Sequence, residues 1–253
     1  MTELLERDTR TERPGAARRA PRSLCRACAA ELAAAVHELR APVSHIKGFV
    51  STLRQPDVEW DDATRAEFLA ELEREADRLA DLIADLLDLG SVERGHLDLV
   101  PTAPAVLADA ALDRVRGRLA DHPVEVDVPN DLPSVPVDAP RVERLLANLL
   151  ENAAKYSQPG SPIAVWARPR LPYLQIAVDD AGPGIPPHLL GRVFDRFFRA
   201  PSAGASAAGT GLGLAIARSI AVAHGGRLHA ENRPAGGARF LLSLPVAAPA
   251  SRA

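Results

Sequence analysis

The stretch Asn148-Leu149-Leu150-Glu151-Asn152-Ala153-Ala154-Lys155-Tyr156 decides how the second half of the chain is read. A helix is expected over Pro140–Lys155, with Asp138 before it and Pro140 just inside it as start signals. On that helix Asn148 and Asn152 stand at i and i+4 and share one face. Asparagine carbonyls are hard oxygen ligands suited to Mg²⁺ alongside phosphate, and Lys155 adds a point positive charge for a phosphate. A helix face that only meets water prefers Glu, Lys or Arg to paired asparagines. The pattern therefore reads as a binding surface.

Working toward the C-terminus, Asp179-Asp180-Ala181-Gly182-Pro183-Gly184-Ile185 follows an apolar strand expected over Leu174–Val178. Gly182 and Gly184 permit a tight turn and the close approach of a flat ring. An aspartate at that place can accept a hydrogen bond from an amino group. Further on, Gly209-Thr210-Gly211-Leu212-Gly213-Leu214 opens a helix expected over Leu212–Ala223. Bare backbone N–H groups and the helix dipole favour phosphate there. The glycine spacing is not the dinucleotide fingerprint, and the stretch Ala203–Ala208 precedes it rather than a strand. That small-residue stretch reads as a flexible lid. Phe194, Phe197 and Phe198 hold half of the six phenylalanines; they either anchor the lid to the core or pack ordinarily. No Walker lysine motif occurs anywhere.

Further strands are expected at Val124–Val128, Ile163–Ala167, Arg227–Ala230 and Arg239–Leu244, and a further helix at Ala105–Ala120. From residue 98 to 247 the chain is thus an α/β domain with a mixed sheet. Before it the texture differs. Leu32, Val36, Leu39, Val43, Ile46, Val50 and Leu53 alternate spacings of four and three, a heptad seam that extends back to Ala29 and Cys25. Pro56 and Asp57 break it. Phe68, Leu72, Leu79, Leu82, Leu86 and Leu89 carry a second helix, interrupted by Glu75 and expected to stop at Gly90. Such a hairpin, spanning 23–92, exposes too much apolar seam alone. Pairing two hairpins into a four-helix bundle buries it, so a homodimer is expected.

One step of that first helix reads His37-Glu38-Leu39-Arg40-Ala41-Pro42. Val36 is on the seam, so His37 points away from it toward solvent. An exposed neutral imidazole is a nucleophile at pH 7. Glu38 can accept its Nδ1 proton and sharpen the other nitrogen. Pro42 removes the helical bond to the carbonyl of Glu38 and loosens the helix beside the histidine. His45 lacks these neighbours.

A length of 253 residues suits two small domains, and 47 % apolar residues suffice for a buried core. A net charge of −3 gives no basis for nucleic acid as a partner. No apolar run reaches the ~18 residues of a transmembrane segment, and no signal-peptide core is present, so the expected location is cytoplasmic. Residues 1–22, rich in Arg, Glu and Thr, read as a disordered leader, and 248–253 as a tail. Lys47 and Lys155 are the only lysines, so arginine-rich stretches reflect composition more than function. Cys25 and Cys28 are too few for a zinc site in one chain. Two paired chains would bring four cysteines together, for an inter-chain disulfide or a shared metal.

Together these motifs resemble the sensor histidine kinases, in family order over about residues 25–246. His37 to Pro42 resembles the H box, Asn148 to Tyr156 the N box, Asp180 to Gly184 the first glycine box, Phe194 to Phe198 the F box and Gly209 to Leu214 the second glycine box. The resemblance implies a dimerisation and phosphoacceptor hairpin followed by a Bergerat ATP-binding α+β sandwich, related to those of gyrase, Hsp90 and MutL. It implies that Asp180 contacts adenine, that Asn152 holds Mg²⁺, and that Lys155 and Tyr156 approach the phosphates. Gly182, Gly184, Gly209, Thr210, Gly211, Leu212 and Gly213 would complete the ATP site. Autophosphorylation of His37 and transfer to a response regulator receiver domain follow from the family, with an upstream sensor protein as a further partner.

Two residues qualify the resemblance. The ATPase relatives carry a water-activating glutamate where Asn148 stands, and asparagine is no general base. The phosphoryl group is therefore expected on a protein nucleophile. Ala41 stands where most of these kinases have Thr or Asn, a side chain thought to position the water that dephosphorylates the regulator. Weak phosphatase activity is the expectation. A non-catalytic Bergerat scaffold and a serine-directed anti-sigma-type kinase are the competing readings.

Overall fold

A computed structural model of the chain describes residues 22–94, 97–199 and 210–246. The leader (save Arg22), the tail, Gly209 and the Ala203–Ala208 stretch lie outside the described residues.

The heptad seam becomes α1, Arg22–Leu53, and the second apolar pattern becomes α2, Asp62–Arg94. α2 starts where Asp61 accepts hydrogen bonds from the amide and hydroxyl of Thr64, 2.8 and 2.9 Å. These bonds satisfy a free N–H of the first turn and hold the Asp61 carboxyl below its usual range. The hairpin end is closed by Phe68, whose ring meets Phe49 at 5.7 Å and Trp60 edge-on at 5.2 Å. α2 does not stop at Gly90; it runs four residues further, to Arg94. A single glycine costs a helix only about 1 kcal/mol, and buried Leu89 beside it is anchored in the core.

Leu39, Ile46 and Leu53 of the α1 seam turn partly inward, whereas Val36, Val43 and Val50 remain 46 %, 50 % and 40 % exposed. One half of the seam thus serves the hairpin and the other half faces outward. On α2, Leu82 and Leu89 join the core of the following domain. Glu75, the break in the seam, is half-buried, and its carboxylate meets Nδ1 of His45 at 3.0 Å.

The second unit is a two-layer α/β structure. Its strands and helices in chain order are β1 (Val100–Thr102), α3 (Pro104–Val115), β2 (Val124–Asp127), β3 (Val135–Val137), α4 (Ala139–Tyr156), β4 (Ile163–Arg170), β5 (Tyr173–Asp179), α5 (Gly213–Ala223), β6 (Arg227–Asn232) and β7 (Ala238–Pro245). The main sheet has the order β2-β4-β5-β7-β6, with β2 and β4 parallel and the other pairs antiparallel. The mixed sheet is as expected, and alternate residues of β4 and β7 are buried beneath α4 and α5. Pro169 fits inside β4 because β2 pairs with that strand only as far as Trp166.

β1 and β3 form a separate antiparallel pair in which Pro101 sits opposite Pro136. Neither was expected, since each has three residues and a central proline. The helix expected over Ala105–Ala120 ends at Val115 and tightens into a 3₁₀ turn over Arg116–Leu119. His224, buried after α5, donates from Nδ1 to the Ile220 carbonyl at 2.8 Å and accepts the Asp138 amide at Nε2, 3.0 Å. It ties the end of α5 to the start of α4. The Asp138 carboxylate makes no cap bond to the helix; it pairs with Arg141 at 3.2 Å.

Candidate active site

A cavity of about 1170 Å³ lies between α4, the loop after β5 and the start of α5. α4 puts Val142, Leu145, Leu146, Leu149 and Leu150 into the core. Its other face gives Asn148, Asn152 and Lys155 to the cavity, with Tyr156 at its end. Asp180, Gly184, Thr210, Gly211 and Gly213 complete the expected set that lines it.

Asp180 is 3 % exposed. Its amide donates to the Ala238 carbonyl at 2.9 Å. Its Oδ1 accepts the amides of Gly182 and Ala238, both at 2.9 Å, and its own carbonyl accepts Nη1 of Arg233 at 2.7 Å. Among the described residues no donor meets Oδ2. Burial pushes the carboxyl above its ordinary range, opposed by the two amide bonds. Gly182 is required because a Cβ would stand 2.7 Å from the Tyr156 carbonyl oxygen. The loop is therefore pressed directly onto the end of α4.

Asn148 and Asn152 share a face but not a situation. Nδ2 of Asn148 donates to the Gly213 carbonyl at 3.1 Å, clasping α4 to the first residue of α5. Among the described residues nothing engages the Asn152 amide. Burial, together with the charge of Arg199, pushes the Lys155 amine below its ordinary value. The ammonium also lies 4.9 Å from the centre of the Tyr156 ring.

In the second glycine motif, Gly211 has φ +69, and a Cβ there would lie 2.9 Å from the Phe197 backbone. The Phe197 amide donates to the Gly211 carbonyl at 2.9 Å, so the chain is pinched on either side of residues 200–209. Phe194 packs edge-on against Phe240 at 6.3 Å, which gives the phenylalanine cluster its hold on the core. Leu212 follows directly in the same motif. Its side chain is fully buried, and its amide is already taken by the Thr210 hydroxyl at 3.1 Å. The polar turn ahead of α5 holds that N–H, and the Leu212 side chain packs in the core.

His37 and Glu38 stand on α1 and do not line the cavity. His37 is exposed and Glu38 half-buried. Several partners of the site escaped the sequence reading. Asp85 of α2 accepts hydrogen bonds from Thr210 and Arg144. Asn232 brackets the loop, accepting the Ile185 amide and donating to its carbonyl, each at 2.7 Å. Asn232 and Arg233 lead into the Gly236-Gly237 turn, the local signal that could have drawn attention to them. Among the described residues no cluster of three or more metal-ligating acidic, His or Cys side chains occurs, and no helix is long and apolar enough to cross a membrane.

Residues 29–95 match the His Kinase A (phospho-acceptor) domain, and residues 137–248 match the histidine kinase-, DNA gyrase B- and HSP90-like ATPase family. Sensor protein KdpD of Escherichia coli is 36 % identical over 217 residues, covering 85 % of this chain and 24 % of the relative. The signal transduction histidine-protein kinase/phosphatase MprB of Mycolicibacterium paratuberculosis is 38 % identical over 212 residues, covering 79 % of this chain and 39 % of the relative. The chain thus spans about a quarter to two-fifths of these curated relatives. The solved mycobacterial sensor histidine kinase MprB shares 35 % identity, with a TM-score of 0.52 over 58 % of this chain and 97 % of that one. Histidine kinase ThkA, solved in complex with response regulator protein TrrA, has the same fold over 91 % of this chain and 65 % of that one, with a TM-score of 0.71 at 22 % identity. The phosphoacceptor helices, the ATPase sheet and these relatives agree, and the chain belongs to the sensor histidine kinase family.

Proposed function

We propose that this chain is a kinase core that moves the γ-phosphoryl group of ATP onto its own His37, and from there onto an aspartate of a response regulator receiver domain. Asp180 carries the reading. Its amide, carbonyl and Oδ1 are all held by the chain, Oδ2 has no donor among the described residues, and the residue lines the cavity. An acceptor so fixed suits the exocyclic amino group of adenine.

The other residues fit the same ligand. Lys155 and Tyr156 meet the phosphates, with Thr210, Gly211 and Gly213 at the start of α5. Asn152, whose amide oxygen is uncommitted, holds Mg²⁺, which would offset phosphate charge. Asn148 is neutral and occupied by Gly213, which disfavours water as the acceptor. On α1, Nε2 of exposed His37 attacks the γ-phosphorus, the bond to the leaving ADP oxygen breaks, and Glu38 takes the Nδ1 proton. The outward row Val36, Val43 and Val50 suits a second copy of the hairpin, so the working unit is a homodimer. It acts in the cytoplasm, where ATP and receiver domains are found, and takes its signal from an upstream sensor protein. The phosphoacceptor unit ends with α2, and the ATP-binding unit runs from residue 98 onward.

Incubation with γ-labelled ATP tests this. Acid-labile label on the chain is expected, lost in His37→Gln and strongly reduced in Asn152→Ala. Label retained in His37→Gln overturns the assignment. Acid-stable label on a partner points to a serine-directed kinase, and no label at all to a scaffold.

A further inference from the structure

Asp179 immediately precedes Asp180, and the two carboxylates are 4 % and 3 % exposed. Asp179 is the last residue of β5, and Asp180 is the first of the loop that follows. Asp180 lines the cavity, and Asp179 does not. Two buried charges so close are costly unless each is paired and hydrogen-bonded.

Asp179 is paired twice. Arg239, its register partner on β7, binds it through both oxygens, with Nε to Oδ1 and Nη2 to Oδ2 each at 2.7 Å. Planar two-point pairing of this kind fixes geometry as well as charge. Arg239 is itself held by Glu231 at 3.3 Å and lies 5.0 Å from the Trp166 ring centre. Arg233, at the start of the turn between β6 and β7, reaches Asp179 Oδ2 with Nε at 3.3 Å.

The other end of Arg233 is the informative one. Its Nη1 donates to the main-chain carbonyl of Asp180 at 2.7 Å. Gly237, in the same turn, lies so close to that carbonyl that a Cβ would stand 2.0 Å from its oxygen. One guanidinium therefore spans both aspartates, holding the side chain of the first and the backbone of the second. With the Ala238 bonds, it leaves Oδ2 of Asp180 as the acceptor still open.

We infer that Arg233 is a positioning residue for nucleotide selection, which through Asp179 and the Asp180 carbonyl aims Oδ2 at the amino group of adenine. This rests on the reading of Asp180 given under the proposed function. Arg233 touches no part of the cavity itself, so its removal should change which base is preferred more than how tightly phosphates are held.

The test uses the full chain and measures dissociation constants for ATP and for purine riboside triphosphate, which lacks the 6-amino group. The wild type should prefer ATP by ~10-fold or more, the worth of one hydrogen bond to a charged acceptor. Arg233→Met should cut that preference to within about threefold while leaving binding of the analogue nearly unchanged. Arg233→Lys, which keeps charge and one donor, should recover part of it. Equal affinity of the wild type for both compounds overturns the reading of Asp180, and this inference with it. A wild-type preference that persists fully in Arg233→Met, or an equal loss for both compounds, overturns the positioning role alone. Should Arg233→Met fail to fold, Arg233→Lys and Arg233→Gln decide by the same ratio.

Discussion

The Asp85 carboxylate, on the hairpin helix α2, accepts a hydrogen bond from the Thr210 hydroxyl at 2.9 Å, in the loop that opens α5. Its other oxygen accepts Nη2 of Arg144 on α4 at 3.1 Å. One helical turn earlier, Asp81 lies 3.6 Å from Arg118, which also binds Glu151 of α4 at 2.6 Å. Asp81 and Asp85 line the same cavity as Asn152 and Lys155. The hairpin thus holds the ATP-binding unit by groups that border its cavity.

Burial pushes the Asp85 carboxyl above its ordinary value of 3.8, against the bonds from Thr210 and Arg144. A raised pKa means that the docked state binds the proton more tightly. Docking is then strongest below 3.8 and weakens as pH rises through the raised value. Asp85→Asn keeps an acceptor for Thr210 without a buried charge, and should hold docking within about 1 kcal/mol of the wild type at neutral pH. Asp85→Ala leaves Thr210 and Arg144 without this partner and should weaken docking by about 1–3 kcal/mol. Hydrogen exchange across α2 and α5 measures both. Equal exchange in wild type and Asp85→Ala would refute the latch.

Lys155 provides a pH signature for the nucleotide. Burial and the Arg199 charge lower its pKa from 10.5, so it loses its proton earlier than a free lysine. Phosphate binding needs the charged form. ATP affinity should fall as pH rises through that lowered value, and binding should take up protons in the same window. Calorimetry in buffers of different ionisation heat reads the uptake. Lys155→Arg should remove the pH dependence, because the guanidinium stays charged. Lys155→Met should weaken binding ~10-fold at neutral pH.

Asn148 separates the clasp from the ligands. Asn148→Asp would put a carboxylate oxygen against the Gly213 carbonyl in place of the Nδ2 donor. A loss of about 1–3 kcal/mol is expected, lowering the melting temperature of the ATP-binding unit by roughly 2–4 °C per kcal/mol. Asn152→Asp breaks no such bond and should leave melting nearly unchanged. Calorimetric scans of the two variants compare them directly, and equal melting would remove the distinction.

The sequence made the long elements readable because their signals are redundant. The heptads of α1 repeat one period many times, and β5 is a short continuous apolar run. β1 and β3 had no period to repeat, and their prolines argued against them. Gly90 looked like a stop because the packing that holds Leu89 lies far away in sequence. The motif residues of the site were legible by type and spacing, yet spacing put Asn148 and Asn152 in one role where the fold gives them two. Arg233, Arg239 and Asp85 were invisible for a similar reason. Each draws its meaning from a partner more than fifty residues away, in a chain where arginine is common by composition.

Ala41 carries the last prediction. It stands four residues after His37 on α1, on the same face, and is half-buried. Its methyl group can neither donate nor accept a hydrogen bond, so nothing there can orient a water toward the aspartyl-phosphate of a docked receiver domain. Phosphorylation of His37 needs no such water and should proceed. The wild type should therefore phosphorylate its regulator while dephosphorylating it slowly. Ala41→Thr, adding a hydroxyl at this half-buried position, should raise the dephosphorylation rate ~10-fold or more, as placing one general hydrogen-bonding group for a reacting water does. Autophosphorylation should change little. The decisive measurement is the decay of labelled phosphoryl-regulator with each protein and ADP. A fast wild type that the substitution leaves unchanged would mean that another group supplies the water, and that Ala41 does not limit the reaction.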